Sequence, residues 1–313
     1  MVVIQSQVGN QLFQTAFKWI QLHSDTARII VLAVLLIAFL LLVYNLFKES
    51  SEAFVLYLLV ISMTILWFFN SNEFVIKPVF WDSFSFELVY LTLLLLLSCF
   101  IFYLAPKLSR ELGFLIYGLA FASPTFREAV KTFDKNFFVL FFFVATLALI
   151  MNLSYTPKTF RAVLDTFLLS IFTVISIELN FYASAIPLAF IIAFPKRNKR
   201  NYVYIGLTLI GIVVLSEIFG TSISTKLFDK SCLYVLTRFI KESFIQLVLI
   251  LYLFATNFKV AIRMRGQVLF LLILTLMYLP LLTVHPMLFA PLIVVSSALS
   301  IRLTQKLYII AQT

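Results

Sequence analysis

The chain has 313 residues, of which 62% are hydrophobic and 12% charged, with a mean hydropathy of +1.05 and a net charge of +10. A soluble domain coats itself with about a quarter charged residues, so a soluble enzyme is excluded and lipid is the solvent for most of this chain. The cationic excess sits beside apolar runs, where it meets anionic headgroups; nucleic-acid binding is not expected.

Backbone polar groups in lipid must pair internally, which leaves helices or closed barrels. Barrel strands alternate over about ten residues, whereas the apolar runs here are continuous, as from Ile29 to Phe47. The expected fold is all-α, a polytopic transmembrane bundle of about 8–11 spans at roughly 20 apolar residues each. The chain holds 7 glycines against 36 phenylalanines, which argues against a transporter built on small-residue helix crossings. A Phe-rich, Gly-poor composition also resembles proteins from AT-rich genomes, organelle genomes included. Cys99 and Cys232 are isolated and form no metal or disulfide pattern, and no cofactor is expected. The N-terminus lacks the basic and apolar regions of a cleavable signal.

In chain order, residues 1–27 alternate apolar and polar side chains in a loosely helical pattern and read as an interfacial amphipathic helix. Spans follow at Ile29–Phe47, Phe54–Phe69, Leu88–Leu104, Gly113–Ala122 and Phe137–Asn152. The apolar stretch Phe167–Phe194 exceeds one crossing, holds Glu178 and Asn180 near its middle, and reads as one tilted helix or two short ones. Tyr202–Phe219 is the next span, and a final region runs from Phe244 to the C-terminus. If the long stretch counts as two crossings, the basic segments Lys107–Arg110, Lys158–Arg161 and Pro195–Arg200 share one side, which the positive-inside rule places toward the cytoplasm or matrix. The organisation is a segment 1–27, helices of unassigned role over 28–200, and a distinct region over 201–313.

Within that last region, residues 244–283 run about 40 positions without a turn signal until Pro280, yet carry Lys259, Arg263 and Arg265. Two readings compete: a basic loop between two ordinary spans, or one long tilted helix with cations at membrane depth. An arginine at the bilayer centre costs about 2.5–3.5 kcal/mol on insertion scales and persists there for a function. His285-Pro286 then breaks the chain, and Met287–Ile310 returns as a helix with Arg302, Gln305 and Lys306. As a hairpin over 244–312, the two arms would let Arg263 and Gln305 face each other.

The stretch Lys259-Val260-Ala261-Ile262-Arg263-Met264-Arg265-Gly266-Gln267 resembles the signature of subunit a of F-type ATP synthases, with Gln267 in place of the family's Asn. Arg302-Leu303-Thr304-Gln305-Lys306 is similar to the family's glutamine-bearing last helix. The resemblance covers about the last 70 residues, and Leu272 and Ala298 stand where the family often carries acidic or histidine residues. It implies a non-catalytic proton-translocating stator in the mitochondrial inner membrane, or the bacterial plasma membrane, with c-ring subunits, other membrane subunits and lipids as partners. Arg263, which cannot deprotonate, would favour the charged form of each ring carboxylate and separate two aqueous half-channels. Gln305 and Gln267 would orient it. Glu242, Glu217, Glu178 and His285 are half-channel candidates; for Glu242 the competing reading is a loop residue paired with Lys241. Arg265 lies about 200° round a helix from Arg263 and is expected in a salt bridge or at a headgroup.

A second class of function is carried by other residues. Ala122-Ser123-Pro124-Thr125-Phe126-Arg127-Glu128, followed by Asp134 and an aromatic span, resembles glycosyltransferases that use lipid-linked sugars, as does Ile177-Glu178-Leu179-Asn180-Phe181-Tyr182 before an apolar run and a basic loop. That resemblance implies an acidic base in an outer loop, for which Glu73, Asp82 and Glu87 are candidates. A structural subunit of a membrane complex is the third reading.

Overall fold

A computed structural model of the chain describes residues 24–70, 83–131, 135–153, 160–194, 199–219, 232–256, 266–282 and 286–312. All regular structure among them is helical. The helices are α1 (Ser24–Glu49), α2 (Ser51–Asn70), α3 (Ser83–Phe102), α4 (Gly113–Ala122), α5 (Pro124–Lys131), α6 (Lys135–Asn152), α7 (Phe160–Leu179), α8 (Ala185–Ala193), α9 (Lys199–Phe219), α10 (Cys232–Glu242), α11 (Phe244–Thr256), α12 (Gln267–Leu281) and α13 (Phe289–Gln312). Short 3₁₀ turns precede α4, α8 and α13. The amphipathic segment expected over residues 1–27 falls almost wholly outside the described residues.

The protein is an integral membrane protein. Four helices are long and apolar enough to cross a bilayer, and five further apolar helices are shorter. The helices α1, α2 and α11 turn large apolar side chains outward, among them Ile29, Leu40, Leu66 and Leu251. In water such a surface would aggregate; in lipid it is the solvated face. The interior is built around α13, which packs against α12, α4 and α11, with α5 and α6 alongside. Leu292, Val295, Ala298 and Leu299 on it are fully buried.

The long stretch 167–194 is two helices, not one. α7 ends at Leu179, and Asn180 takes an extended conformation (φ −151°, ψ 105°) whose side-chain oxygen accepts from the Tyr182 N–H at 3.2 Å. An Asn side chain competes with the ladder for backbone donors, which ends the helix and caps the next turn. Along α7 the hydroxyls of Ser170, Thr173 and Ser176 return to carbonyls four residues earlier. Two of them also reach neighbouring helices: Ser176 to Thr146 at 3.2 Å and Thr173 to Tyr204 at 3.0 Å. Small hydroxyls of this kind hold helices together where there is no hydrophobic drive between them.

The final region also departs from the one-long-helix reading. α11 ends at Thr256 and α12 starts after Gly266, whose φ of +84° is a left-handed conformation that no helix interior holds. Residues 257–265 lie outside the described part. α12 and α13 do pack together as a hairpin, but its first arm is the 15-residue α12 alone.

The helix ends define two faces of the bundle. At one, Arg110 reaches Asn152, Gln267 reaches the Met151 carbonyl, and the Gly266 N–H reaches the Ala193 carbonyl. These are the described ends that flank the basic segments 107–110, 158–161 and 195–200, so all three leave from the same face once the long stretch counts as two crossings. The opposite face carries the ends of α2 and α3 that flank residues 71–82, together with α5 and α10.

Candidate functional site

The two residues expected to orient Arg263 both have partners among the described residues. Gln267, in the first turn of α12, donates to the Met151 carbonyl at 2.6 Å and accepts from Arg302. Gln305 donates to the Ser109 hydroxyl. Among the described residues Arg302, buried on α13, is the cation that links the two arms of the hairpin, and it also donates to the Leu104 carbonyl at 2.5 Å and the Ala105 carbonyl at 3.1 Å. Arg263 and His285 lie outside the described residues. Glu217 stands near the end of α9, with its side chain outside them. Glu178 is half-buried in the last turn of α7. α13 is buried from Ala290 to Leu299, while Thr304 further along it is exposed.

At the basic face a second arginine is buried with Arg302. Arg110 pairs with Glu49 at 2.8 Å, donates to the Tyr103 and Ala105 carbonyls at 3.0 and 2.7 Å, and reaches the Asn152 side chain. The guanidinium fork satisfies the carbonyls left open where α3 ends. The arrangement is saturated by the protein itself, which makes it a clasp rather than a ligand site.

The opposite face holds a different arrangement. Glu242 ends α10, an 11-residue amphipathic helix. Its carboxylate accepts from the Ser123 hydroxyl at 2.5 Å, the Thr125 N–H at 3.0 Å, the Thr125 hydroxyl at 2.9 Å and the Arg238 Nε at 2.8 Å. Arg238 also pairs with Glu128 at 3.0 Å and lies 5.9 Å from the centre of the Phe289 ring. The expected pairing of Glu242 with Lys241 in a loop is thus replaced by a helical pairing four residues back. Burial raises the Glu242 pKa, but the hydrogen bonds from Ser123, Arg238 and Thr125 outweigh it and hold the carboxyl below its ordinary range.

Local sequence explains this geometry. Pro124 starts α5 with its φ preset, and Ser123 before it accepts the Phe126 N–H at 3.3 Å as an N-cap. The free N–H groups of that first turn attract a negative charge, and Glu242 supplies it. Depth follows from lengths. α4 and α6 leave the basic face together, but α4 rises about 15 Å over 10 residues and α6 about 27 Å over 18. Ser123 therefore sits roughly 10 Å below the outer end of α6. The cluster is recessed between two short helices, with Arg127 half-buried on α5.

Of the acidic-base candidates, Glu87 is exposed in the second turn of α3, at this face. Glu73, Asp82 and Asp134 lie outside the described residues. Sequence reasoning singled out Ser123–Glu128 and Glu242 separately and passed over Arg238. Its signal was available, an Arg four residues before Glu on an amphipathic helix. The Arg110–Arg302 clasp carried no local signal. Among the described residues no three His, Cys, Asp or Glu group as metal ligands.

No protein-family model, curated protein or solved structure matches the chain.

Proposed function

We propose that this protein is a polytopic membrane glycosyltransferase that draws on a lipid-linked sugar. The observation that carries the reading is the recessed cluster of Ser123, Thr125, Glu242 and Arg238. It is built on the segment that resembles such enzymes, at the face opposite the basic one. The flanks of residues 71–82, which hold Glu73 and Asp82, and Glu87 on α3 share that face. An outer-loop carboxylate would take the proton from an acceptor hydroxyl as its oxygen attacks the sugar C1. The C1–O bond to the lipid phosphate breaks, and its electron pair stays on the phosphate. Arg238, which already pairs with Glu242, and Arg127, on the first turns of α5, would stabilise that negative charge. The basic face would be cytoplasmic by the positive-inside rule, which puts the reaction at the outer face.

The test is transfer by the purified chain in lipid vesicles, with polyprenyl-phosphate sugars and a hydroxyl acceptor. Transfer is expected, and one of Glu73→Gln, Asp82→Asn or Glu87→Gln should reduce it about 10²–10⁴-fold, the range of an acid–base group. No transfer with any donor, or full activity in all three variants, refutes the reading.

The alternative proposal is the proton-translocating stator of a rotary ATP synthase, with Arg263 facing c-ring carboxylates, in a mitochondrial inner or bacterial plasma membrane. The packing of α12 against α13 as a hairpin, with Gln267 touching α13 through Arg302, favours it; the burial of α13 weighs against it. Arg263→Ala would abolish coupled proton pumping on this reading and leave sugar transfer intact on the first.

A further inference from the structure

Glu178 lies half-buried in the last turn of α7, near the middle of the bilayer. Two routes give its depth. The Ser176 hydroxyl meets Thr146, which is six residues along α6 from Asn152 at the basic face, so Glu178 stands about 12 Å above that face. On the return, the Ala193 carbonyl accepts the Gly266 N–H at the same face, and the 9 residues of α8 with the 4-residue turn before it lift Asn180 about 20 Å. The hydrocarbon is about 30 Å thick and begins near Glu49, where α1 ends in the clasp.

The carboxylate also sits on an outward stripe. Leu164, Phe167 and Ile171 are exposed along α7, and Phe181 is exposed just past the break. Glu178 is seven residues beyond Ile171, about 20° short of two full turns, and so continues the stripe. The ion pairs among the described residues engage Glu49, Glu128 and Glu242, and none reaches Glu178. Asn180 ends the helix here, which adds the negative end of the helix dipole and its last open carbonyls to the same spot. A negative side chain at the negative end of a helix, at mid-depth on a lipid-facing stripe, needs a cation beside it.

We propose that this stripe of α7 is the docking face for a transmembrane helix of another membrane protein, which carries one lysine or arginine at its middle to pair with Glu178. Charge complementarity sets the chemistry of the partner, and the depth of Glu178 sets where along the partner's span the cation lies. A second copy of this chain is the poorer occupant, because a two-fold contact through the stripe would set Glu178 against its own symmetry mate. Between helices in lipid the apolar surface supplies no drive to associate, so one polar pair selects the partner. The inference stands apart from the glycosyltransferase reading.

The experiment is association of the full chain with designed leucine–alanine helices of about 24 residues in phosphatidylcholine vesicles, read by energy transfer. One helix carries a central lysine, one a central leucine, and one a lysine about six residues off centre, roughly 9 Å away. The central-lysine helix is expected to associate about tenfold more tightly than the other two, and Glu178→Gln should bring all three level. A photocrosslinking residue at Ile171 should label the central-lysine helix, and one at Leu36, exposed on α1, should not. Equal association of the three helices with the parent chain, a preference that persists in Glu178→Gln, or labelling from Leu36 in place of Ile171 would overturn the inference. The off-centre lysine is read on the parent chain, so it decides if Glu178→Gln misfolds. Self-association of the chain that is lost in Glu178→Gln would give the stripe to a second copy and overturn it as well.

Discussion

Arg110 and Arg302 both donate to the carbonyl oxygen of Ala105, at 2.7 and 3.1 Å. One guanidinium comes from the turn that follows α3 and the other from the central helix α13, and together they tie the basic face of the bundle. Arg110 pairs with a carboxylate, Glu49, whereas the hydrogen bonds of Arg302 go to neutral groups. The balance is made by neutral acceptors, the carbonyls of Tyr103, Leu104 and Ala105 and the side chains of Asn152 and Gln267.

Removing Arg110 should therefore be costly. Arg110→Met leaves Glu49 without its partner and several carbonyls unsatisfied, a loss of about 3–5 kcal/mol by analogy with broken buried pairs. Arg110→Lys should not restore it, because an ammonium lacks the planar fork that reaches separate acceptors. Thermal unfolding of the two variants in detergent checks this; a midpoint equal to the parent's in Arg110→Lys would remove the fork argument.

Gly113 opens α4 against the end of α3. A Cβ built there would meet the Phe102 Cα at 2.7 Å and its ring at 2.8 Å, whereas nothing lies within 4 Å of one built at Gly118. Gly113→Ala should cost about 1–3 kcal/mol through overpacking, and Gly118→Ala should be neutral or slightly stabilising. A scan of both variants under identical conditions separates close approach from simple helix propensity.

The contact between α5 and α10 should weaken in acid. The folded-state pKa of Glu242 lies below its ordinary value of 4.5. A lowered pKa contributes stability that is present above the unfolded value and is lost as pH falls through the folded one. Crosslinking of one cysteine placed on α5 to another placed on α10 should thus hold at neutral pH and fall away below about pH 4.5. In Glu242→Gln the acid dependence should vanish; if it persists, another carboxyl is responsible.

On the glycosyltransferase reading, Arg127→Met should lower the rate of transfer about 10²–10³-fold, the loss seen when one donor to developing charge is removed, with a smaller effect on KM for the lipid. An unchanged rate constant with raised KM would assign Arg127 to binding alone.

Much of the fold was legible in the apolar runs. The apolar runs at 29–47, 54–69 and 137–152 fall on helices long enough to cross a bilayer, while 113–122, expected as a span, is a helix of only 10 residues; a run of side chains that cannot face water fixes the element and its solvent but not its length. The break inside 167–194 was legible as an alternative, because Asn180 is polar and caps well. The division of 244–283 was harder to read. Val260, Ala261 and Ile262 favour helix, and only Gly266 signals a stop, through a backbone conformation that sequence reveals weakly.

The candidate site shows the same limit from the other direction. The sequence contained Ser123, Thr125, Arg238 and Glu242, and by itself it determined that the chain lives in lipid as a helical bundle with its positive charge gathered on few loops. Hydrophobicity is a sum over neighbouring residues, so it survives reading along the chain. Only the tertiary structure decided that Glu242 seats in the first turn of α5, that Gln267 and Gln305 belong to Arg302 and Ser109, and that α13 is buried on every side from Ala290 to Leu299. Hydrogen bonds and ion pairs are set by distances of about 3 Å between groups that the chain keeps far apart, and no periodicity along the sequence encodes them.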